Sequence, residues 1–233
     1  GAAALGERWS NGQTEGNITP TPGAYTLTKN SGQFIVIADA GLNTIKRQTV
    51  FGTRANNPNI SPSAFLVDSC GNIYLSGWGS NVFELHIGTT KGLPVTSNAL
   101  QSTTDGHDFY LAVFGKNLSS LLFGSFFGGN LSRDHVDGGT SRFDKRGIIY
   151  QSVCSSCPNT PGATLNDFPT TPNSAFPVNV SYRCSNAAFK IDFQISNLVK
   201  ARFIPDAIVC GPADVQFTNQ SDGNGKYKWN FGD

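Results

Sequence analysis

The chain has 233 residues, of which 14% are charged, and it contains 26 glycines, 12 prolines and 17 phenylalanines. Few charges among many turn formers and aromatics favour an all-β protein of one large or two small domains over a helical bundle. The net charge is +1 and there is no basic run, so the chain lacks the electrostatic footprint of a nucleic-acid-binding protein. It also contains no apolar stretch of about 18 residues, the length that a membrane-spanning helix needs. Gly1–Ala4 lack the charged and apolar regions of a signal peptide, and Trp229–Asp233 close no element, so we expect an internal piece of a longer protein.

A motif rich in proline and threonine occurs three times along the chain, at a spacing of 75 residues. Its copies are Ile18–Ala24, Leu93–Ala99 and Phe168–Asn173. Each copy is followed by two apolar runs that predict β-strands, and the last of these runs is the loosest. The first runs are 34–38, 109–114 and 187–191, and the second runs are 50–52, 121–128 and 201–204.

A turn pattern also recurs, at a spacing of 76 residues, beginning at Asp68 and at Asp144. The aspartate accepts backbone hydrogen bonds at the start of a type I turn, and a glycine three residues later, Gly71 or Gly147, takes the positive φ. The β-forming residues on either side then pair as a hairpin. The recurrence predicts a repeated unit rather than an isolated hairpin.

Each repeat therefore offers about four short strands, one hairpin followed by two further apolar strands. Four-stranded units in tandem are typical of β-propeller blades, whose faces are covered by the neighbouring blades. Three units are visible, and propellers close with about 4–8 blades. The sequence predicts part of a larger propeller, while a single-sheet solenoid or a sandwich stays open as the alternative.

The repeat region resembles the SBBP-type β-propeller repeats of bacteria, especially those of gliding-motility-associated and type IX-secreted surface proteins of the Bacteroidota. The resemblance covers residues 18–204. The segments that carry it are Cys70–Gly79, Thr103–Leu111, His135–Gly147, Asp167–Asn173 and Cys184–Asn186.

The tail resembles the beginning of a PKD domain, an immunoglobulin-like fold. Cys210–Ser221 is similar to its first strand, and Tyr227–Asp233 contains a Trp-x-Phe-Gly-Asp motif. Alternating apolar residues in both segments also predict strands. We expect residues 1–204 to form partial propeller repeats and residues 205–233 to form the truncated N-terminal part of a PKD domain.

Five cysteines are candidates for disulfides, and the odd number leaves at least one without a partner inside the chain. In an exported protein disulfides are the default state, and a proline-rich loop after Cys157 disfavours a redox Cys-x-x-Cys motif. We expect Cys154 or Cys157 to pair with Cys184, Cys70 to be a possible partner for the other, and Cys210 to pair beyond the chain. Zinc is the alternative, but no fourth ligand is evident.

Two aspartate-rich stretches offer oxygen ligands for calcium, at Asp105, Asp108, Asp134 and Asp137. Neither fits the EF-hand pattern, and aspartates that cap turns are commoner than aspartates that bind metal. No motif of nucleophilic, metalloprotease or P-loop chemistry is present, so we expect no enzyme and no cofactor beyond calcium.

The resemblance implies a non-enzymatic adhesion or display module of the bacterial cell surface, secreted or associated with the outer membrane. Its expected partners are a surface glycan or protein and the secretion and motility machinery of the cell envelope. Nucleic acid and a membrane-spanning segment are not expected. The alternatives are a structural spacer in a surface assembly and a carbohydrate-active propeller enzyme.

Overall fold

The computed structural model describes residues 2–7, 18–27, 31–55, 58–82, 85–137, 141–159, 162–195, 203–205, 217–219 and 228. It divides into two compact units, Gly1–Phe193 and Gln194–Asp233. Fifteen strands are present in the described ranges: β1 (Ala2–Glu7), β2 (Ser31–Ala38), β3 (Ile45–Ala55), β4 (Ser61–Val67), β5 (Ile73–Trp78), β6 (Ser80–Val82), β7 (Leu85–Ile87), β8 (Phe109–Phe114), β9 (Leu121–Phe127), β10 (Arg133–His135), β11 (Ser141–Phe143), β12 (Ile148–Cys157), β13 (Ser185–Asp192), β14 (Phe203–Pro205) and β15 (Phe217–Asn219).

These strands confirm the all-β class. The described residues contain one 3₁₀ turn, Lys116–Leu118, and no α-helix. No helix in this part of the chain is long and apolar enough to cross a membrane.

Three antiparallel sheets make up most of the first unit. The first has the order β1-β2-β3, the second β4-β5-β8-β9, and the third joins β10, β11 and β13 to the long strand β12. The predicted apolar runs lie in β2, β8 and β13, and each of these strands pairs with the strand before it in its own sheet. The second sheet is thus a complete four-stranded meander, and its neighbours carry parts of the same arrangement.

Both predicted turns are confirmed. The Gly71 N–H donates to the Asp68 carbonyl oxygen at 3.0 Å, and the Gly147 N–H donates to the Asp144 carbonyl oxygen at the same distance. Gly71 has a φ of 86° and Gly147 a φ of 82°. Each turn joins a hairpin, β4 with β5 and β11 with β12.

The second sheet is buried on both faces, which explains why every residue of β5 and β8 is buried. Side chains alternate along a strand, so successive residues serve different neighbours. Ile73 and Leu75 pack in one core with Ile35 of the first sheet, whereas Trp78 packs in another with Val153 of the third sheet. Such burial requires nearly continuous apolar runs instead of an apolar–polar alternation.

A buried polar contact links the second and third sheets. Ser76 donates its hydroxyl to Gln151 Oε1 at 3.0 Å, and Gln151 Nε2 donates to Ser63 Oγ at 3.0 Å. The three side chains thereby satisfy one another's polar atoms, which would be costly to bury without hydrogen bonds.

The connections between strands differ in length at the two ends of the sheets. Tight turns at 39–44, 68–72, 115–120 and 144–147 join strands at one end. Long connections at 79–108 and 158–184 leave from the other end, the first containing β6 and β7.

In the second unit, β14 pairs with β15. The apolar run predicted at 201–204 therefore contributes Phe203 and Ile204 to a strand that pairs with part of the segment resembling a PKD domain. Most of the remaining residues quoted for that resemblance, Cys210 and Trp229 included, lie outside the described residues.

Candidate functional site

Two of the predicted calcium candidates, Asp108 and Asp134, come together at the end of the sheets from which the long connections leave. Asp108 immediately precedes β8, Asp134 lies in β10, and both are wholly buried. Their carboxylates flank Gly128, where an added Cβ would overlap Asp108 Oδ1 and lie 2.7 Å from Asp134 Oδ2. Glycine at this position is what allows the two acids to approach the backbone.

The two carboxylates are not equally satisfied. Asp134 accepts hydrogen bonds from the Gly129 N–H at 2.8 Å and the Ser156 N–H at 2.9 Å. Asp108 Oδ2 accepts one from the Thr104 hydroxyl, but Asp108 Oδ1 has no partner.

Burial raises the pKa of both acids to about 7, because the charged form loses its hydration. The Thr104 hydroxyl opposes this rise for Asp108, whereas Asp105 and Asp134 reinforce it as like charges. With a pKa of about 7, each acid can take up a proton near neutral pH, and the neutral form costs less to bury than the carboxylate.

The other two calcium candidates have different surroundings. Asp105 is partly buried and caps the His107 N–H at 2.8 Å. Asp137 is largely exposed and bonds His135 Nε2 at 3.1 Å. Asp167, which was not predicted as a ligand, also lies at this end. Its Oδ2 accepts hydrogen bonds from the Leu131 and Ser132 N–H groups, and its Oδ1 has no partner.

A second cluster lies where β10 pairs with β12. In a regular strand, Cys154 and Cys157 would point to opposite faces because they are three residues apart. Here Arg133 pairs with Cys157 and His135 with Cys154, so β12 carries one extra residue in a β-bulge. Ser156, within the bulge, adopts a φ of 54°, and both cysteines turn to the same side of the strand.

His135 completes this cluster, and the sequence did not identify it as a ligand. Its Nδ1 lies 3.6 Å from Cys157 Sγ, and the ligand atoms of His135, Cys154 and Cys157 all lie within 4.8 Å of one another. In the described part of the chain, this is the one such group of three among His, Cys, Asp and Glu. The only available signal was the close spacing of His135 and Asp137 in a region already rich in acids.

Cys154 remains a thiol in this structure. Burial raises its pKa, and the neighbouring Asp137 carboxylate raises it further. The thiol donates toward Asp137 Oδ2 at 3.7 Å, which is consistent with a protonated sulfur near neutral pH.

Cys157 forms a disulfide with Cys184, one of the two pairings that the sequence left open. The pairing of Cys70 with Cys154 is not formed, since both are free cysteines. Cys70 lies in the turn before β5, next to the equivalent turn before β12, because Tyr74 packs on Phe143. Cys154 lies six residues along β12 from Ile148, the first residue after that turn. At 3.3 Å per residue, about 20 Å of strand separates Cys154 from the turn beside Cys70.

We expect Cys184→Ser to lower the free energy of unfolding of the oxidised protein by about 3 kcal/mol, because the disulfide closes a loop with a sequence separation of 27. Urea denaturation monitored by tryptophan fluorescence measures this loss. Cys70→Ser is the matched control, with an unchanged midpoint. A wild-type midpoint in Cys184→Ser would show that the disulfide does not stabilise the fold.

Comparison with known protein families, with curated proteins and with solved structures gives no match for this chain. The fold and the two clusters define it as an all-β protein of packed antiparallel sheets with a disulfide beside a buried histidine. Its function has to be argued from these features themselves.

Proposed function

We propose that this chain is a non-enzymatic adhesion or display module of the bacterial cell surface, built from SBBP-type propeller repeats that run into the start of a PKD domain. In this proposal the protein is secreted or associated with the outer membrane, and a gliding-motility assembly is one setting for such a module. Its partner is a surface glycan or a surface protein.

The repeated sheet unit supports the propeller part of this proposal. A four-stranded antiparallel meander, β4-β5-β8-β9, has a neighbouring sheet on each face. Blades of a propeller bury their faces in this manner. The Cys157–Cys184 disulfide supports export, because such bonds persist in oxidising compartments.

The observation that carries binding over a pure spacer is an exposed apolar segment in the long connection between β12 and β13. Phe176 is 91% exposed, Val178 57%, Val180 89% and Tyr182 61%. Soluble proteins seldom leave such a run of large apolar side chains in water without a partner. The segment is a place where a surface partner would gain contact area.

Glycan-array binding by the oxidised protein, with and without calcium, tests the proposal. We expect selective binding to a subset of glycans, and binding that disappears with a chelator would indicate a role for Asp108 and Asp134. Absence of binding under both conditions would contradict glycan adhesion and favour the spacer.

A double variant, Phe176→Ser with Tyr182→Ser, tests the exposed segment. We expect its affinity for the selected glycan to fall about tenfold or more, the loss typical of residues that contribute most to an interface. Leu42→Ser with Leu131→Ser removes comparably exposed apolar groups elsewhere and serves as the control. Equal binding by both double variants would exclude the segment as the contact site.

A further inference from the structure

Four potential metal ligands meet where β10, β12 and the residue before β13 come together. His135 is nearly fully buried, Cys157 is buried, and Cys154 is partly buried. Cys184 is brought to the same place by its bond to Cys157. Three cysteines and one histidine form a ligand set that zinc takes in structural sites.

We propose that His135, Cys154, Cys157 and Cys184 bind zinc in the thiol-reduced protein, and that the Cys157–Cys184 disulfide is the oxidised, metal-free form of the same site. This inference is independent of the adhesion proposal. It concerns a site that the sequence alone set aside for lack of a fourth ligand.

The three groups that the structure brings together, His135, Cys154 and Cys157, lie near the spacing of tetrahedral zinc ligands, and reduction of the disulfide would free Cys184 Sγ as the fourth. With Zn–S bonds of about 2.3 Å and a Zn–N bond of about 2.0 Å, neighbouring ligand atoms are about 3.5–3.8 Å apart. His135 Nδ1 and Cys157 Sγ are 3.6 Å apart, and Cys154 Sγ lies within 4.8 Å of both. Sulfur and imidazole ligands favour zinc over calcium or magnesium.

Asp137 prepares the histidine for this role. Its Oδ2 lies 3.1 Å from His135 Nε2 and accepts a hydrogen bond when that nitrogen carries the proton. Nδ1 is then left as the lone-pair donor on the side of Cys157. A carboxylate behind a metal-binding histidine is a common arrangement, because it fixes the tautomer and the ring orientation.

The two forms interconvert by a balanced reaction. A dithiol reductant transfers two electrons and two protons to the Cys157–Cys184 bond and leaves as its own cyclic disulfide. Zinc then displaces one proton from each of the three thiols and accepts the Nδ1 lone pair. Cys154 is needed only in the zinc-bound form, because it takes no part in the disulfide of the oxidised form.

Zinc content and affinity of the untagged chain test the proposal. The protein is reduced with a dithiol, desalted without oxygen and titrated with zinc, while a parallel sample stays oxidised. We expect one zinc ion per reduced chain and less than about a tenth of that in the oxidised chain. Cobalt in place of zinc should give the thiolate-to-metal charge-transfer band and the visible absorption of a tetrahedral ion.

Three variants make the test specific. We expect Cys154→Ser to retain the disulfide and the oxidised melting temperature but to bind zinc about 100-fold more weakly, and Asp137→Asn to bind it about 10-fold more weakly. Cys70→Ser, which removes an exposed thiol, should bind as wild type does. Failure of the reduced wild type to take up zinc, or wild-type affinity in Cys154→Ser, would overturn the proposal.

Discussion

Gly147→Val should lower the free energy of unfolding by about 4 kcal/mol, twice the loss expected for Gly71→Val. Both glycines occupy the left-handed region, in which a β-branched side chain is strained by about 1–3 kcal/mol. At Gly147, an added Cβ would also lie 2.6 Å from Cε1 of Tyr74. Forcing extra atoms into a packed site costs about another 1–3 kcal/mol.

Tyr74 has little freedom to move aside. It is almost fully buried, and its hydroxyl donates to Asp68 Oδ2 at 3.2 Å. At Gly71 the nearest atom is Cγ of Lys116, at 3.1 Å, on an exposed and flexible side chain. Urea denaturation of both variants measures the difference. Equal losses would show that the turn conformation alone matters, and wild-type stability in both would refute the turn assignment.

Asp108→Asn should make the protein more stable at pH 8 and leave its stability nearly unchanged at pH 4. Burial raises the pKa of Asp108 in the folded state to about 7, above its ordinary value near 3.9. The folded state therefore holds this proton more tightly than the unfolded state. Its contribution is fully present below about pH 4 and is lost as the pH rises through about 7.

The gain at pH 8 has an upper limit of about 4 kcal/mol, since each pKa unit corresponds to about 1.4 kcal/mol. Denaturation of the wild type and of Asp108→Asn between pH 4 and pH 8, in chelator, measures it. Asp39→Asn is the control, because backbone hydrogen bonds lower the pKa of that exposed carboxyl and no gain at pH 8 is expected. Parallel pH profiles for wild type and Asp108→Asn would show that Asp108 ionises without cost in the folded state.

Much of the fold could be predicted because its signals are local. A turn such as Asp68–Gly71 needs only an aspartate, a glycine and flanking β-formers, and its recurrence at Asp144 marked a repeated unit. The apolar run at 109–114 indicated a strand in the same way. In the structure β8 has these same bounds, whereas β2 and β13 extend the runs predicted at 34–38 and 187–191 by up to three residues at either end.

The clusters could not be predicted in the same way, because they depend on pairing between distant strands. The sequence places Asp134 and Asp137 in one acidic stretch, but their side chains have different neighbours in the structure. Asp134 lies beside Asp108 at Gly128, and Asp137 contacts His135, because side chains alternate along the strand and the chain turns after it. Likewise, the spacing of Cys154 and Cys157 does not predict the bulge at Ser156, which places both side chains on the same side of β12. A single extra residue in one strand reverses the direction of a side chain, and no local pattern marks it here.

The unequal connections at the two ends of the sheets have a further consequence. The long connections at 79–108 and 158–184 leave from the end that also holds Asp108 and His135, while short turns close the opposite end. The first of these connections is itself tied to the second sheet, because Leu93 is buried in the core and the Tyr110 hydroxyl donates to the Pro94 carbonyl oxygen at 2.8 Å. If the adhesion proposal holds, a ligand with a repeating structure that touches both connections would bind more tightly than one that touches either alone, because the second contact forms at a high effective concentration.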